Sequence, residues 1–272
     1  MTPQKFELAM SEAIAAFNSG RFDLAVGICA GILRPSPDNS AAHQLLAVIC
    51  MQRGDTALAR QHIQTSLQFR PDHGPSLLIA GRAARADCDL AAAVGYFERA
   101  EAITPAEFEP AYLYGVTLLE YGDLAAATSV LERLVLLHPR HALAWCGFGS
   151  TLQQAGKKKA ARDALEQAVA LDSRLTDAWF NLGIVRQDLG DLAGSANAFV
   201  MALQYRPDYA EAAVNLGIVL QESGAADEAM DAYRRAYRLR AATFGRIANA
   251  LTSSPCGRLW LDLGELRGLL AA

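Results

Sequence analysis

From Phe6 onward the chain repeats one frame of thirty-four residues seven times, without insertion or deletion. The units begin at Phe6, Ser40, Gly74, Phe108, Ala142, Thr176 and Ala210, and the last ends at Thr243. A fixed period of this length constrains the fold more than any local propensity does. A unit so short cannot bury its own apolar face and must draw its stability from its neighbours.

Four columns carry the frame. The eighth residue is always small: Ala13, Ala47, Gly81, Gly115, Gly149, Gly183 and Gly217. So is the twentieth: Ala25, Ala59, Ala93, Ala127, Ala161, Ser195 and Ala229. Two small columns twelve residues apart are what a helical hairpin requires where its backbones approach closely. The fifteenth column is glycine except at Cys88, which suits a left-handed residue ending a helix. The thirty-second reads Pro37, Pro71, Pro105, Pro139, Ser173, Pro207 and Ala241, and proline there stops the second helix of a pair and opens the next unit. Apolar residues at helical spacing fill the intervals, among them Trp179, Leu182 and Phe199, so each unit is predicted to be two helices.

In the sixth unit Trp179, Leu182, Gly183, Ser195, Phe199 and Pro207, and in the seventh Leu216, Gly217, Ala229 and Tyr233, resemble the signature of the tetratricopeptide repeat. The resemblance covers residues 6–243. It implies an all-α fold, a right-handed α-solenoid of seven helical hairpins whose concave wall is made by the first helix of each pair. Residues 244–272 leave the pattern and are expected to cap the solenoid or to dock a partner. Phe244 to Leu251 fits either an extension of the last helix or the start of a degenerate eighth unit. Ser253, Ser254, Pro255 and Gly257 mark a turn. After it, Asp262 and Glu265 form a capping box, Leu261 and Leu266 a staple, and Leu259, Leu263, Leu266 and Leu270 one apolar stripe.

Composition narrows the chemistry. The formal net charge of -4 offers no global field to attract phosphate backbones, so nucleic acid is excluded as a first partner. The five cysteines are scattered without a C-x-x-C pair or a histidine at ligand spacing, and read as reduced thiols of the cytoplasm. Glu7 and Glu12 interrupt any secretory apolar run, and no stretch is long and apolar enough to span a bilayer. His43, His62, His73, His138 and His141 form no catalytic or metal-binding constellation, and no glycine-rich phosphate loop occurs. No catalytic residue, metal or cofactor is therefore assigned.

Side chains three or four apart share a helix face, so frame positions two, five, six, nine, twelve and thirteen lie apart from the packing positions four, seven, eight and eleven. The family resemblance implies that the first set lines the groove. In the third and fourth units this gives Arg82, Arg85, Tyr112 and Val116, with Glu109 and Glu120; in the fifth it gives Cys146. The sixth gives Asp177, Phe180, Asn181, Ile184, Gln187 and Asp188, nearly duplicated in the seventh by Glu211, Val214, Asn215, Ile218, Gln221 and Glu222. An Asn side chain has both a donor and an acceptor and can pair with one peptide unit of any sequence. Asn181 and Asn215 thus resemble the asparagine ladder in the repeat domains of O-linked N-acetylglucosamine transferases and armadillo-type importins. The acidic column, with no Lys or Arg among the wall positions of units four to seven, points to a basic partner segment. The absence of wall lysines disfavours the carboxylate clamp of chaperone-binding repeats.

The function expected is a non-catalytic scaffold that binds an extended peptide segment of a protein partner. The alternatives are an accessory substrate-presenting subunit for a separate glycosyltransferase-type enzyme, and self-assembly into a homo-oligomer through the C-terminal segment. The basic cluster Lys157 to Arg162 reads as solvated charge or as a contact for an acidic surface.

Overall fold

The computed structural model describes residues 3–253 and 263–271. Among these residues the chain is all-helical: α1 Pro3–Asn18, α2 Phe22–Leu33, α3 Ser40–Gln52, α4 Thr56–Phe69, α5 Gly74–Ala86, α6 Leu90–Ile103, α7 Phe108–Tyr121 and α8 Leu124–Leu137. There follow α9 Ala142–Gln154, α10 Lys158–Leu171, α11 Thr176–Asp188, α12 Leu192–Tyr205, α13 Ala210–Glu222, α14 Ala226–Leu239, α15 Phe244–Ser253 and α16 Leu263–Ala271. Helices α3, α5, α7, α9, α11 and α13 start at the residues where the thirty-four-residue frame starts a unit. The chain forms two compact units, residues 1–130 and 131–272, divided within α8.

Each hairpin is built by the same few interactions. The fifteenth residue turns the chain through the left-handed region, with φ +74° at Gly156 and +81° at Gly190. Cys88 makes the same turn at φ +60°, at a cost of about 1 kcal/mol for its Cβ. The next residue is an Asp in several hairpins, and its carboxylate accepts the backbone N–H three residues on: Asp55 from Leu58 at 3.0 Å, Asp123 from Ala126 at 3.0 Å and Asp191 from Gly194 at 2.9 Å. That caps the second helix. Lys157 stands in this place before α10 and makes no side-chain cap.

Inside the hairpin the two small columns meet a large side chain. A Cβ added at Gly183 would lie 2.6 Å from the ring of Phe199, and one at Gly149 2.6 Å from the Leu165 side chain. Phe97, Leu165, Phe199 and Tyr233, all at the twenty-fourth position, are completely buried. The single serine of the twentieth column is accommodated because Ser195 donates its hydroxyl to the Gly183 carbonyl at 2.7 Å. At the fourth position the indoles of Trp145 and Trp179 donate to the carbonyls of Pro139 and Ser173, at 2.9 and 2.8 Å. His43 does the same from Nε2 to Pro37 at 3.0 Å, which fixes its proton on that nitrogen. What the thirty-second position must supply to these donors is a carbonyl, so Ser173 serves as well as proline.

Within each unit the core is shared between successive pairs. In the first, Ala47 of α3, Ile63 of α4 and Ile79 and Ala80 of α5 form one cluster. In the second, Leu165 and Ala168 of α10 pack with Ala178 and Leu182 of α11. Downstream of α14, Arg240 is extended and α15 is a separate helix starting thirty-four residues after α13, so it does not prolong α14. Ile247 and Leu251 of α15 and Leu266 and Leu270 of α16 enter one core with Val214, Tyr233 and Ala236. Arg234 Nε donates to the Leu269 carbonyl at 3.1 Å, tying α16 to α14. Of the apolar stripe read from the sequence, Leu266 and Leu270 are buried and Leu263 is 53% exposed. Leu259 lies outside the described residues, as do Ser254, Pro255 and Gly257 of the turn, Leu261 of the staple and Asp262 of the capping box.

The hairpin seat makes a prediction with opposite signs at two glycines. Gly→Ala in a helix ordinarily gains about 1 kcal/mol, and Gly95→Ala, with open space at its Cβ position, is expected to raise the urea midpoint. Gly183→Ala is expected to lower it, since overpacking against the buried Phe199 ring costs roughly 1–3 kcal/mol and outweighs the gain. At the uncapped start of α10, Lys157→Asp is expected to stabilise by about 1 kcal/mol through the missing cap and the helix dipole, read as a rise in melting temperature.

Candidate functional site

In the second unit the sequence-derived wall residues fall on α11 and α13. The ring of Phe180 on α11 lies tilted 5.8 Å from that of Phe199 and 4.8 Å from that of Tyr209, which lies 4.5 Å beneath the Arg206 guanidinium. Arg206 in turn donates to Asp177 at 3.0 Å. Burial, with Asp177 adding and Arg206 opposing, pushes the Tyr209 hydroxyl up to about 12. Phe180, Ile184 and Ile218 are half-buried, and Gln187 donates to Glu222 at 2.9 Å.

Several wall residues are not open. Val214 is fully buried, and Asn215 and Gln221 are 8% and 4% exposed. The reason is α15: Arg246 donates to the Asn215 side-chain oxygen at 2.8 Å, and Gln221 donates to the Ala250 carbonyl at 3.2 Å while accepting from Tyr233 at 2.8 Å. Asn181 is half-buried and donates to the Ser150 hydroxyl at 2.8 Å. The sixth frame position thus sits at the seam between neighbouring first helices, within reach of position nine behind it and position three ahead. Asn215 is therefore not an available rung, and Asn181 retains only its carbonyl oxygen and one N–H. Cys146 is also removed from the wall, being 9% exposed, and burial pushes its thiol up to about 12.

The acidic column carries its own counter-charges, contrary to the expectation of an unbalanced negative wall. Asp177 pairs with Arg206, Glu211 with Arg240, and Asp188 lies 3.8 Å from Lys158. Arg206 and Arg240 occupy the C-caps of α12 and α14, where the helix dipole favours a cation, and each follows its partner acid by the same interval. That interval was legible in the sequence, but only across positions outside the wall. Lys158 also accounts for part of the basic cluster, as does Arg162, which binds Asp163 at 2.7 Å. Asn249, thirty-four residues after Asn215 in the segment that fits a degenerate eighth unit, is a further asparagine at the sixth position and is exposed on α15.

In the first unit Arg82 pairs with Glu109 and Arg85 with Glu120, the latter also through Nε at 3.1 Å. The Arg85–Glu120 pair has the sequence offset of Gln187–Glu222, so one frame geometry recurs with different chemistry. Tyr112 stacks on Phe108 at 5.3 Å one turn away, and Val116 is half-buried. Among the described residues no cluster of three or more His, Cys, Asp or Glu could hold a metal, and no helix is long and apolar enough to cross a membrane.

The family model of the tetratricopeptide repeat matches residues 10–74, 112–175 and 180–244. The chain belongs to the tetratricopeptide repeat family. No curated protein matches it. Among solved structures it is similar to PilW, described as a widely conserved type IV pilus biogenesis factor, at 19% identity and TM-score 0.67, over 80% of this chain and 100% of that one. MamA from Desulfovibrio magneticus RS-1 gives 21% identity and TM-score 0.57, over 62% and 96%. YrrB, described as a tetratricopeptide repeat protein with an unusual peptide-binding site, gives 17% identity and TM-score 0.56, over 68% and 95%. These likenesses extend the family's fold to the chain and leave its partner open.

The buried thiols and phenol set an alkaline limit. Burial pushes Cys29 up to about 11, and Cys146 and Tyr209 up to about 12. Above about pH 8.5 the unfolded chain loses thiol protons, and above about pH 10 phenol protons, that the folded chain keeps. The part of the stability these three groups contribute is therefore fully present below about pH 8.5 and falls as pH rises towards 12. The urea midpoint is expected to be flat from pH 7 to 8 and to decline from pH 9 to 11; a flat profile to pH 11 would contradict the burial assignment.

Proposed function

We propose that the chain is a non-catalytic interaction scaffold that binds an extended segment of a protein partner along its first-helix faces, with residues 6–243 acting as seven repeats and α15 and α16 as the cap. The observation that carries this reading is the strip Phe180, Ile184 and Ile218. These apolar side chains remain half-buried among polar groups with hydrogen-bonding capacity to spare, notably Asn181. YrrB, of the same fold, is a peptide binder by its own description, which is consistent with this use of the surface.

The ion pairs refine the ligand. Asp177–Arg206 and Glu211–Arg240 are partly exposed, and such pairs contribute only about 0–1 kcal/mol, so a ligand can exchange them at little cost. Because both signs line the strip, it favours a segment of mixed charge with apolar anchors over a purely basic one. Leu266 and Leu270 are spent on the chain's own core, which leaves Leu263 as the exposed leucine of the stripe among the described residues and favours the cap over a docking face for a second copy.

The test is a peptide array probed with wild type and with Ile184→Glu plus Ile218→Glu. Both positions are half-buried, so the double variant is expected to keep its helical circular dichroism and to lose most bound peptides. Asn181→Ala is expected to weaken them by about tenfold or less, one hydrogen bond being worth about 1 kcal/mol. If the array pattern survives the double Glu substitution, the first-helix strip is not the binding surface.

A further inference from the structure

The third hairpin is hollow where its sister units are filled. Its seventh and eleventh frame residues are both alanine, Ala80 and Ala84; no other repeat has alanine at the seventh, and three carry leucine at the eleventh, Leu118, Leu152 and Leu220, against Ala16, Cys50 and Arg186 in the rest. The missing bulk leaves a crevice of about 70 Å³ between the second helices α4 and α6, floored by Ala80 and Ala84 and walled by Ile63 and Tyr96. Through Gln64 and Tyr96 it opens into a shallower trough of about 330 Å³, bounded by Leu67, Gln68, Pro71 and Arg99.

We propose that this trough is a second docking site, on the second-helix face, for an extended protein segment carrying a leucine- or methionine-sized residue and a carboxylate about three residues apart. The crevice exceeds the roughly 10–15 Å³ that holds one water and falls well short of the roughly 150 Å³ void that admits benzene, so it takes an aliphatic side chain and not an aromatic ring. Gln64 and Gln68 lie one turn apart on α4 at the trough, both exposed and without a side-chain hydrogen bond, and each offers a donor and an acceptor to a passing peptide backbone.

Charge fixes the other end. The guanidinium of Arg99 is half exposed, held by the Pro71 carbonyl at 2.7 Å and only loosely by Asp72 at 3.4 Å. Arg70 beside it is exposed and has no side-chain partner. The inner cation, Arg60, is already neutralised by Asp87. The positive charge left without an acidic partner is therefore Arg70, at the outer end beside the loosely paired Arg99. From Ala92 to Arg99 a helix advances about 10 Å, the span of about three extended residues.

The experiment titrates Gly/Ser decapeptides containing Leu-x-x-Glu or Glu-x-x-Leu into the full chain, followed by amide chemical shifts. The expected result is saturable shifts at Ala80, Ala84 and Tyr96 with one orientation. Affinity should fall by about tenfold or more when the peptide leucine becomes alanine, since burying that side chain is worth roughly 1.5–3 kcal/mol. Ala84→Leu, which places there the leucine that three other repeats carry, is expected to abolish the shifts while keeping or raising the melting temperature. Should Ala84→Leu fail to fold, Arg99→Glu is expected to lose the Glu peptide and gain its Lys counterpart. Unchanged affinity in Ala84→Leu, no shifts with either orientation, or no exchange of preference in Arg99→Glu would overturn the proposal. Because the first-helix strip is untouched by these variants, its peptides test the earlier reading separately.

Discussion

The structure depends on one close approach, that of the eighth residue of each unit to the side chain at the twenty-fourth. Where the first is glycine the second is a full-sized Phe, Tyr or Leu seated directly on the backbone, and nothing larger than hydrogen fits between them. This contact sets the separation and rotation of the two helices. It also determines which faces of each hairpin are left to meet the next one. The periodic sequence becomes a periodic surface where Gly81, Gly149, Gly183 and Gly217 repeat the same seat.

From that constraint follows the division of labour along the first helices. Positions four, seven and eleven are committed to packing, and in three repeats the fourth, as His43, Trp145 or Trp179, also carries a donor that ties the repeat to the turn before it. His43 shows that the tie can be made without an indole. The second position of the sixth and seventh repeats reaches the end of a second helix, so Asp177 and Glu211 find arginines supplied by the C-caps, whereas the thirteenth-position acids Glu120, Asp188 and Glu222 meet Arg85, Lys158 and Gln187. The sixth position falls in the seam between first helices, and an Asn there is drawn into the scaffold by whatever polar group stands opposite, Ser150 in one case and Arg246 in the other.

These distinctions explain what the sequence could and could not reveal. The hairpins, their starts and their turns were legible because each depends on residues within one thirty-four-residue frame, and Gly183, Gly190 and Trp179 announce their roles by position alone. The wall was less legible because exposure depends on the next element. Val214 and Gln221 occupy groove positions by number, yet α15, whose sequence departs from the pattern at Leu251, continues the stacking and buries them. Asp177 and Glu211 likewise look uncompensated until Arg206 and Arg240 are brought back by the turn of the second helix. The hollow beneath Ala84 was written in the columns too, as a departure from bulk, but small residues in a helical repeat carry no signal until the space they leave is seen.

The most direct test of the account is a double-mutant cycle between Gly183 and Phe199, measured by urea unfolding. Gly183→Ala should destabilise because its new Cβ meets the ring, and Phe199→Leu because it loses buried surface. Combined, the smaller side chain makes room for the added methyl, so the double variant should be more stable than the sum of the two losses by more than about 0.5 kcal/mol. Simple additivity would contradict the claim that this seat holds the hairpins in phase.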